Sequence, residues 1–302
     1  MKDIKIKYYW WKINKKQFFI IYAFYIIFGI GGLIYYLAYP ASLFATNQPV
    51  YLIFLVVLIT AIIEGQFFWN RFTKKQLEII TNLTSDIQKQ KEQSEKLLLN
   101  ILPYEVMEEL KNTGEAKAKA FTMVTVMFTD FKDFTTISEK VSAELLVNEI
   151  HTCFSSFDGI LQKYKIEKIK TIGDAYLCAS GLPVSNYTHA ADMLHAAFEI
   201  RNYMLQRKIE KEAKGEVPFE LRIGIHTGPV VAGIVGIKKY AYDIWGDTVN
   251  IASRMEQNSE AGKINVSGNT YDLVKDKFKC EHRGKIEAKN KGMFDMYFVE
   301  NA

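Results

Sequence analysis

The apolar positions of this chain follow three different patterns. Residues 18–39 carry no charged side chain and are dominated by Ile, Phe, Tyr, Leu and Gly; at about 1.5 Å rise per residue such a stretch crosses the hydrocarbon core of a bilayer. A second run starts at Val50, stays uncharged to Ile63 and continues past Glu64 and Gln66 to the aromatic cluster Phe67, Phe68 and Trp69, a group suited to a membrane interface. Both runs read as transmembrane helices. Residues 74–100 are polar and free of Gly and Pro, with Ile80, Leu83, Ile87, Leu97 and Ile101 on a seam of three and four. That is the pattern of a coiled-coil helix, weakened where Gln90 and Ser94 fall on the same seam. A solvated single helix with a chance pattern is the alternative to a parallel two-stranded stalk. Pro103 ends this helix, and residues 104–110 resume a helical pattern until Lys111, Asn112, Thr113 and Gly114 stop it.

Beyond residue 117 strands and helices alternate. The pattern predicts a buried strand over 121–128, a helix over 142–164, a hairpin of 168–172 and 175–179 around Gly173 and Asp174, a helix over 189–213 and a strand over 219–226, with further strands behind. This order suggests an α+β, ferredoxin-like sheet with helices on one face. The expected organisation is a basic tail (1–17), a two-helix anchor (18–70), a helical connector (71–116) and a globular domain (117–302).

Charge orients the anchor. Lys2, Lys5, Lys7, Lys12, Lys15 and Lys16 precede the first span, the loop 40–49 is uncharged, and Arg71, Lys74 and Lys75 follow the second, so both ends are expected in the cytoplasm at a cell membrane. Glu64 then lies near the cytoplasmic end of its span and can reach the interface. A cleaved signal peptide is disfavoured by the long polar tail, the missing small-residue cleavage site and the second span. A net charge of +4 in a chain that is 24% charged is too mild to imply a nucleic-acid partner. Cys153, Cys178 and Cys280 are far apart and in no CxxC arrangement, which suggests neither disulfides nor zinc. His151, His189, His195, His226 and His282 lack the i, i+4 partner of a helical zinc site and read as structural.

The first strand runs into Thr129, Asp130, Phe131, Lys132, Asp133, Phe134 and Thr135, which puts a carboxylate beside a turn, and Asp174 stands at the hairpin tip. If strand and hairpin pair, the two aspartates converge and can bridge two Mg²⁺ ions for phosphoryl chemistry; two independent turn aspartates are the plainer alternative. Asn250 and Arg254, four apart, share one face of the helix expected there.

The segments FTDFKDFT, EKIKTIGDAYLCASGLP, LRIGIHTGPVVAGIVG and YDIWGDTVNIASRME, in this order and spacing, resemble the class III adenylate and guanylate cyclases from Phe121 to the C-terminus. The resemblance implies that Asp130 and Asp174 bind two Mg²⁺ (or Mn²⁺) ions and that the backbone of Phe131, Lys132, Asp133, Phe134 and Thr135 folds around a triphosphate. It further implies that Asn250 orients the ribose, that Arg254 contacts the α-phosphate, and that Lys289, with Lys291 close by, reaches the terminal phosphates. Lys170 and Asp243 stand at the positions that resemble the base-reading pair. Lysine donates to N1 of adenine and aspartate accepts from N6, whereas guanylate cyclases of the family usually place Glu and Cys there. A wrong base would leave buried groups unpaired at about 1–3 kcal/mol each. The expectation is therefore an adenylate cyclase turning ATP into cyclic AMP and pyrophosphate at sites shared across a homodimer.

One residue departs from the family pattern. Many relatives have glycine where Asp133 stands, and a carboxylate near triphosphate is expected to point outward or to weaken ATP affinity or shift the metal preference. The competing readings are a guanylate cyclase and a non-catalytic nucleotide-binding relay; the relay should lack one of the Asp, Asn or Arg residues that are present here. The Gly-Gly-Asp-Glu-Phe signature of a diguanylate cyclase is missing. The short loop between the spans offers no folded receptor, so the spans or a partner would have to sense any signal.

Overall fold

The computed structural model describes residues 20, 22–32, 34, 38, 48–236, 240–288 and 292–301. Eight positions of the first expected span (18, 19, 21, 33, 35, 36, 37 and 39), and all of the basic tail, lie outside them. The chain divides into two compact units, Met1–Gln93 and Ser94–Ala302.

In the first unit α1 (Tyr22–Gly32) lies against the start of α2 (Gln48–Leu99). A Cβ added to Gly29 would lie 3.6 Å from Leu58, and one added to Gly65 would lie 3.1 Å from Tyr22. These pairings run in opposite senses along the chain, so the helices are antiparallel. The second apolar run and the polar connector form one continuous helix of 52 residues. Thr60 and Thr73 bond back to the carbonyls of Val56 and Trp69, which satisfies their hydroxyls inside the helix. Leu55–Leu99 is long and apolar enough to cross a membrane by length and composition, while Tyr22–Gly32 is a shorter apolar helix.

The second unit opens with the end of α2 and with α3 (Tyr104–Thr113), closed by Gly114 in the left-handed conformation. Then follow β1 (Lys119–Phe131), α4 (Phe134–Ser138), α5 (Ala143–Lys163), β2 (Glu167–Ile172), β3 (Ala175–Ser180), α6 (His189–Ala213) and β4 (Leu221–Ile234). Ser142 caps α5 by accepting from the Leu145 amide. The rest is β5 (Tyr242–Trp245), α7 (Asp247–Gln257), β6 (Ile264–Ser267), α8 (Gly268–Val274), β7 (Lys279–Ala288) and β8 (Gly292–Glu300).

The sheet order is β2-β3-β1-β4-β6-β8-β7, with β5 paired to β4. Its β2-β3-β1-β4 part, all antiparallel, is the ferredoxin-like βαββαβ arrangement expected from the element order. Helices cover both faces of this sheet rather than the single face expected. The cause is that β1 and β3 are apolar on both sides. Met127, Phe131, Tyr176 and Cys178 pack with α5 and α6. Val124, Val126, Phe128, Leu177 and Ala179 pack with Val106 and Met107 of α3, Ile244 of β5 and Ala252 of α7.

Two buried histidines of the core are paired with neighbouring hydroxyls. Thr125 Oγ1 is 2.7 Å from His189 Nδ1 and 2.9 Å from Thr227 Oγ1. Burial pushes His226 down to about 4, which keeps it neutral beside Ser267 Oγ at 2.6 Å.

Helix α7 rests directly on β4 because Gly224 and Gly228 leave that face bare. A Cβ on Gly224 would fall 1.9 Å from the Glu256 amide nitrogen, and one on Gly228 would fall 2.6 Å from Thr248 Oγ1. Backbone cannot yield as a flexible side chain can, so Gly224→Ala is expected to cost about 3 kcal/mol or more in urea unfolding. Gly159→Ala, where an added Cβ meets nothing within 4 Å, is expected to stabilise α5 by about 0.5–1 kcal/mol. Equal effects of the two substitutions would contradict the close approach of α7.

Candidate active site

Strand β1 carries its alternation to Asp130, which faces the α7 side of the sheet and lies opposite Arg222 of β4 in the register. The β2–β3 turn is made by Gly173, at φ 63°, and Asp174. The Asp174 carboxyl comes against that of Asp130. Desolvation, and then the hydrogen bond and charge of Asp130, push Asp174 up to about 6, although its own backbone and Arg222 act the other way. Asp130 Oδ2 accepts from Arg222 Nη2 at 3.2 Å, while Asp130 Oδ1 is buried with no hydrogen-bond partner. Arg222 Nε lies 2.9 Å from Glu256 Oε1. That is ion-pair distance but off the hydrogen-bond direction, so neither atom makes a hydrogen bond. Glu256 is buried on α7, and desolvation pushes its carboxyl up to about 7.

An orphaned carboxylate oxygen beside a second carboxyl held near protonation fits a divalent cation, whose charge satisfies the first and removes the repulsion on the second. Mg²⁺ commonly takes one or two carboxylates and completes its shell with water and substrate phosphate. No cluster of three or more His, Cys, Asp or Glu groups able to hold a metal occurs among the described residues.

The loop after Asp130 is anchored by aromatic side chains. Phe131 is buried, with Phe154 and Phe219 ring centroids at 5.9 and 5.2 Å, and Phe134 packs beside it at 6.3 Å. Any ligand contact by Phe131 therefore goes through its backbone. Between these anchors Lys132 and Asp133 are exposed. The Lys132 amide donates to the Glu220 carbonyl at 2.8 Å and the Ile137 amide to that of Asp133 at 3.0 Å. Asp133 adopts the left-handed conformation, φ 56° and ψ 26°, where a glycine would sit without strain. Thr135 is exposed, and its carbonyl accepts from Ser138 Oγ at 2.7 Å.

Lys170 and Asp243 meet although 73 residues separate them. Lys170 pairs across β2–β3 with Leu177, and Asp243 across β4–β5 with Gly233. Lys170 Nζ stands 2.5 Å from Asp243 Oδ2, and Asp243 Oδ1 accepts from the Ile244 amide at 2.9 Å. On α7 Asn250 is exposed and Arg254, one turn on, is half-buried. Lys289 and Lys291 lie outside the described residues.

Sequence reasoning missed Arg222 and Glu256. The alternation of LRIGIHTG could have placed Arg222 on the face of Asp130 only with the β1–β4 register in hand, and no local pattern carries that register.

Residues 116–301 match the model of the adenylate and guanylate cyclase catalytic domain, and the chain belongs to that family. It is 37% identical over 234 residues to retinal guanylyl cyclase 2 of Rattus norvegicus, covering 76% of this chain and 21% of that protein. The chain thus spans about a fifth of the length of such curated relatives. The catalytic core of a rhodopsin-guanylyl cyclase with converted specificity, in complex with ATPαS, is 36% identical and superposes with a TM-score of 0.57, over 62% of this chain and 99% of that one. The adenylyl cyclase CyaB from P. aeruginosa is 31% identical with a TM-score of 0.59, over 62% and 97%.

The backbone at residue 133 gives a test independent of any ligand. Asp133→Val, a β-branched residue at positive φ, is expected to cost about 1–2 kcal/mol, and Asp133→Gly to stay within about 0.5 kcal/mol of the unaltered protein in urea unfolding. Equal losses would contradict the left-handed conformation.

Proposed function

We propose that this protein is a membrane-anchored adenylate cyclase that converts ATP into cyclic AMP and pyrophosphate at two-cation sites shared between the subunits of a homodimer. Membership of the cyclase family supports the reaction class. The observation that carries the choice of base is the Lys170–Asp243 pair, one cationic donor and one anionic acceptor standing side by side. Adenine asks for a donor at N1 and an acceptor at N6. Lys170 is 45% exposed, and an ion pair this open is worth only about 0.2–1 kcal/mol, so an incoming base separates the two at small cost.

In this reading Asp130 and Asp174 hold the cations, the backbone of residues 131–135 wraps the triphosphate, and Lys289 reaches its terminal phosphates. Asn250 orients the ribose so that the 3′-oxygen lies in line with the α-phosphorus. The new bond forms from that oxygen to phosphorus as the bond from phosphorus to pyrophosphate breaks, and the hydroxyl proton leaves to solvent. Arg254 offers its planar fork to the α-phosphate oxygens where charge builds. Bound Mg²⁺ or Mn²⁺ supplies a lowered pKa at the 3′-hydroxyl and neutralises the leaving pyrophosphate.

The antiparallel α1 and α2 support a two-helix anchor, and exposed Ile80, Ile87 and Leu97 along α2 support a partner helix on the stalk. Rotation or tilt of the spans would then reach the catalytic sites through stalk packing. A second reading, guanylate cyclase, is favoured by the curated relative named above, a guanylyl cyclase.

The purified full-length chain given ATP or GTP with Mg²⁺ or Mn²⁺ is expected to form cyclic AMP. Lys170→Glu with Asp243→Cys should move its preference towards GTP by at least about tenfold in kcat/KM. Cyclic GMP as the main product of the unaltered chain would reject the base assignment. The cation reading is tested by pH. A carboxyl raised from 3.8 to about 6 contributes stability below pH 3.8 that is lost as pH rises through about 6, where the second negative charge appears. Mn²⁺ is therefore expected to raise the melting temperature more at pH 7.5 than at pH 5, and Asp174→Asn should abolish the difference. An equal rise at both pH values contradicts the shared site.

A further inference from the structure

We propose that Arg222 is a positioning residue for the cation-binding carboxylate of Asp130, that Glu256 holds it there, and that this line of charges fastens the cation site to helix α7. The inference rests on the cyclase reading above but concerns residues that reading does not use.

The geometry begins in the sheet register. β1 and β4 set Asp130 and Arg222 directly across from each other, so the guanidinium reaches the carboxylate without a bend in either strand. Arg222 uses Nη2 towards Asp130 Oδ2 at 3.2 Å and Nε towards Glu256 Oε1 at 2.9 Å. Both atoms lie on one edge of the guanidinium, so a single planar group spans two carboxylates on different elements, which a lysine ammonium cannot reproduce. Only 5% of the Glu256 side chain is exposed. A carboxylate buried that deeply without a cation would carry a large desolvation cost, so Arg222 has one favourable place to stand.

The division of labour on Asp130 follows. Arg222 takes Oδ2 and leaves Oδ1, buried and without a hydrogen bond, for a cation. The other end of the line is equally fixed. The α7 backbone at Met255 and Glu256 touches the bare Cα of Gly224, two residues from Arg222 on the same face of β4. Glu256 follows Arg254 by two residues and Asn250 by six, so whatever holds Glu256 also holds the register of the helix that presents those two side chains.

An ion triad could instead serve only to join β1, β4 and α7, and the test separates the two roles. Mn²⁺ binding to the chain is measured by the electron paramagnetic resonance of free Mn²⁺ without nucleotide, since a triphosphate would itself chelate the ion. Loss of an outer partner of a metal ligand weakens metal binding by about tenfold or more. Arg222→Gln is expected to do so, Arg222→Lys to weaken it about threefold and Glu256→Gln by a similar factor. The control is Arg207→Gln. Arg207 grips Glu149 bidentately at 2.5 and 2.7 Å between α6 and α5, so its loss should lower the melting temperature while leaving Mn²⁺ affinity within about twofold. If Arg222→Gln fails to fold, the Arg222→Lys value decides. Arg222 variants that bind Mn²⁺ within twofold of the unaltered chain, or an equal weakening in Arg207→Gln, would overturn the inference. Mn²⁺ binding that Asp174→Ala loses while the Arg222 variants keep it would sink this inference alone. An unaltered chain that binds no Mn²⁺ would sink it together with the cyclase reading.

Discussion

The burial of two carboxyls side by side, Asp174 against Asp130, is the constraint around which the catalytic unit is arranged: desolvation, then the hydrogen bond and charge of Asp130, lift Asp174 to about 6. Two like charges held together at the end of a sheet are unfavourable unless something positive joins them. The fold supplies one cation of its own, Arg222, and leaves a carboxylate oxygen unsatisfied. A group in that state is a candidate binding position. The rest of the sheet makes the arrangement rigid enough to persist: β1 is the centre of the antiparallel part, and its apolar residues are packed on both faces.

Rigidity on one side is matched by close approach on the other. Because Gly224 and Gly228 carry no side chain, α7 lies on β4 at backbone distance, and the helix that bears Asn250 and Arg254 is located by the same strand that bears Arg222. Lys170 and Asp243 are brought together by strands at two different places in the sheet. The Asp130–Asp174 pair, the Lys170–Asp243 pair and helix α7 are thus separate local structures, each positioned by one sheet, and the proposed reaction asks the protein to orient and stabilise charge without supplying a nucleophile.

Much of this was legible in the sequence where the signal is local. The hairpin around Gly173 and Asp174, the helix over 189–213 and the shared helix of Asn250 and Arg254 follow from alternation, turn residues and i, i+4 spacing. The motif order carried the family. What was not legible depends on pairing across the chain. Arg222 opposite Asp130 is a matter of register, and the helices on the second face follow from β1 and β3 being apolar on both sides, a pattern that a short strand does not distinguish from one-sided burial. Residue 133 shows the intermediate case. Its departure from glycine was visible as a residue type, but its positive φ and its exposure are properties of the folded loop.

The most direct test of the account as a whole is complementation. Asp174→Ala and Arg254→Ala chains are purified, assayed separately for cyclic AMP formation from ATP with Mn²⁺, and then assayed as an equal mixture allowed to exchange subunits. If each site draws its aspartates from one subunit and its asparagine and arginine from the other, each variant alone is inactive and the mixture recovers about a quarter of the activity of the unaltered protein, since half of the dimers are mixed and each of those has one intact site. A mixture as inactive as its components, beside an active unaltered chain, would contradict the shared site; an unaltered chain that forms no cyclic nucleotide would contradict the enzyme.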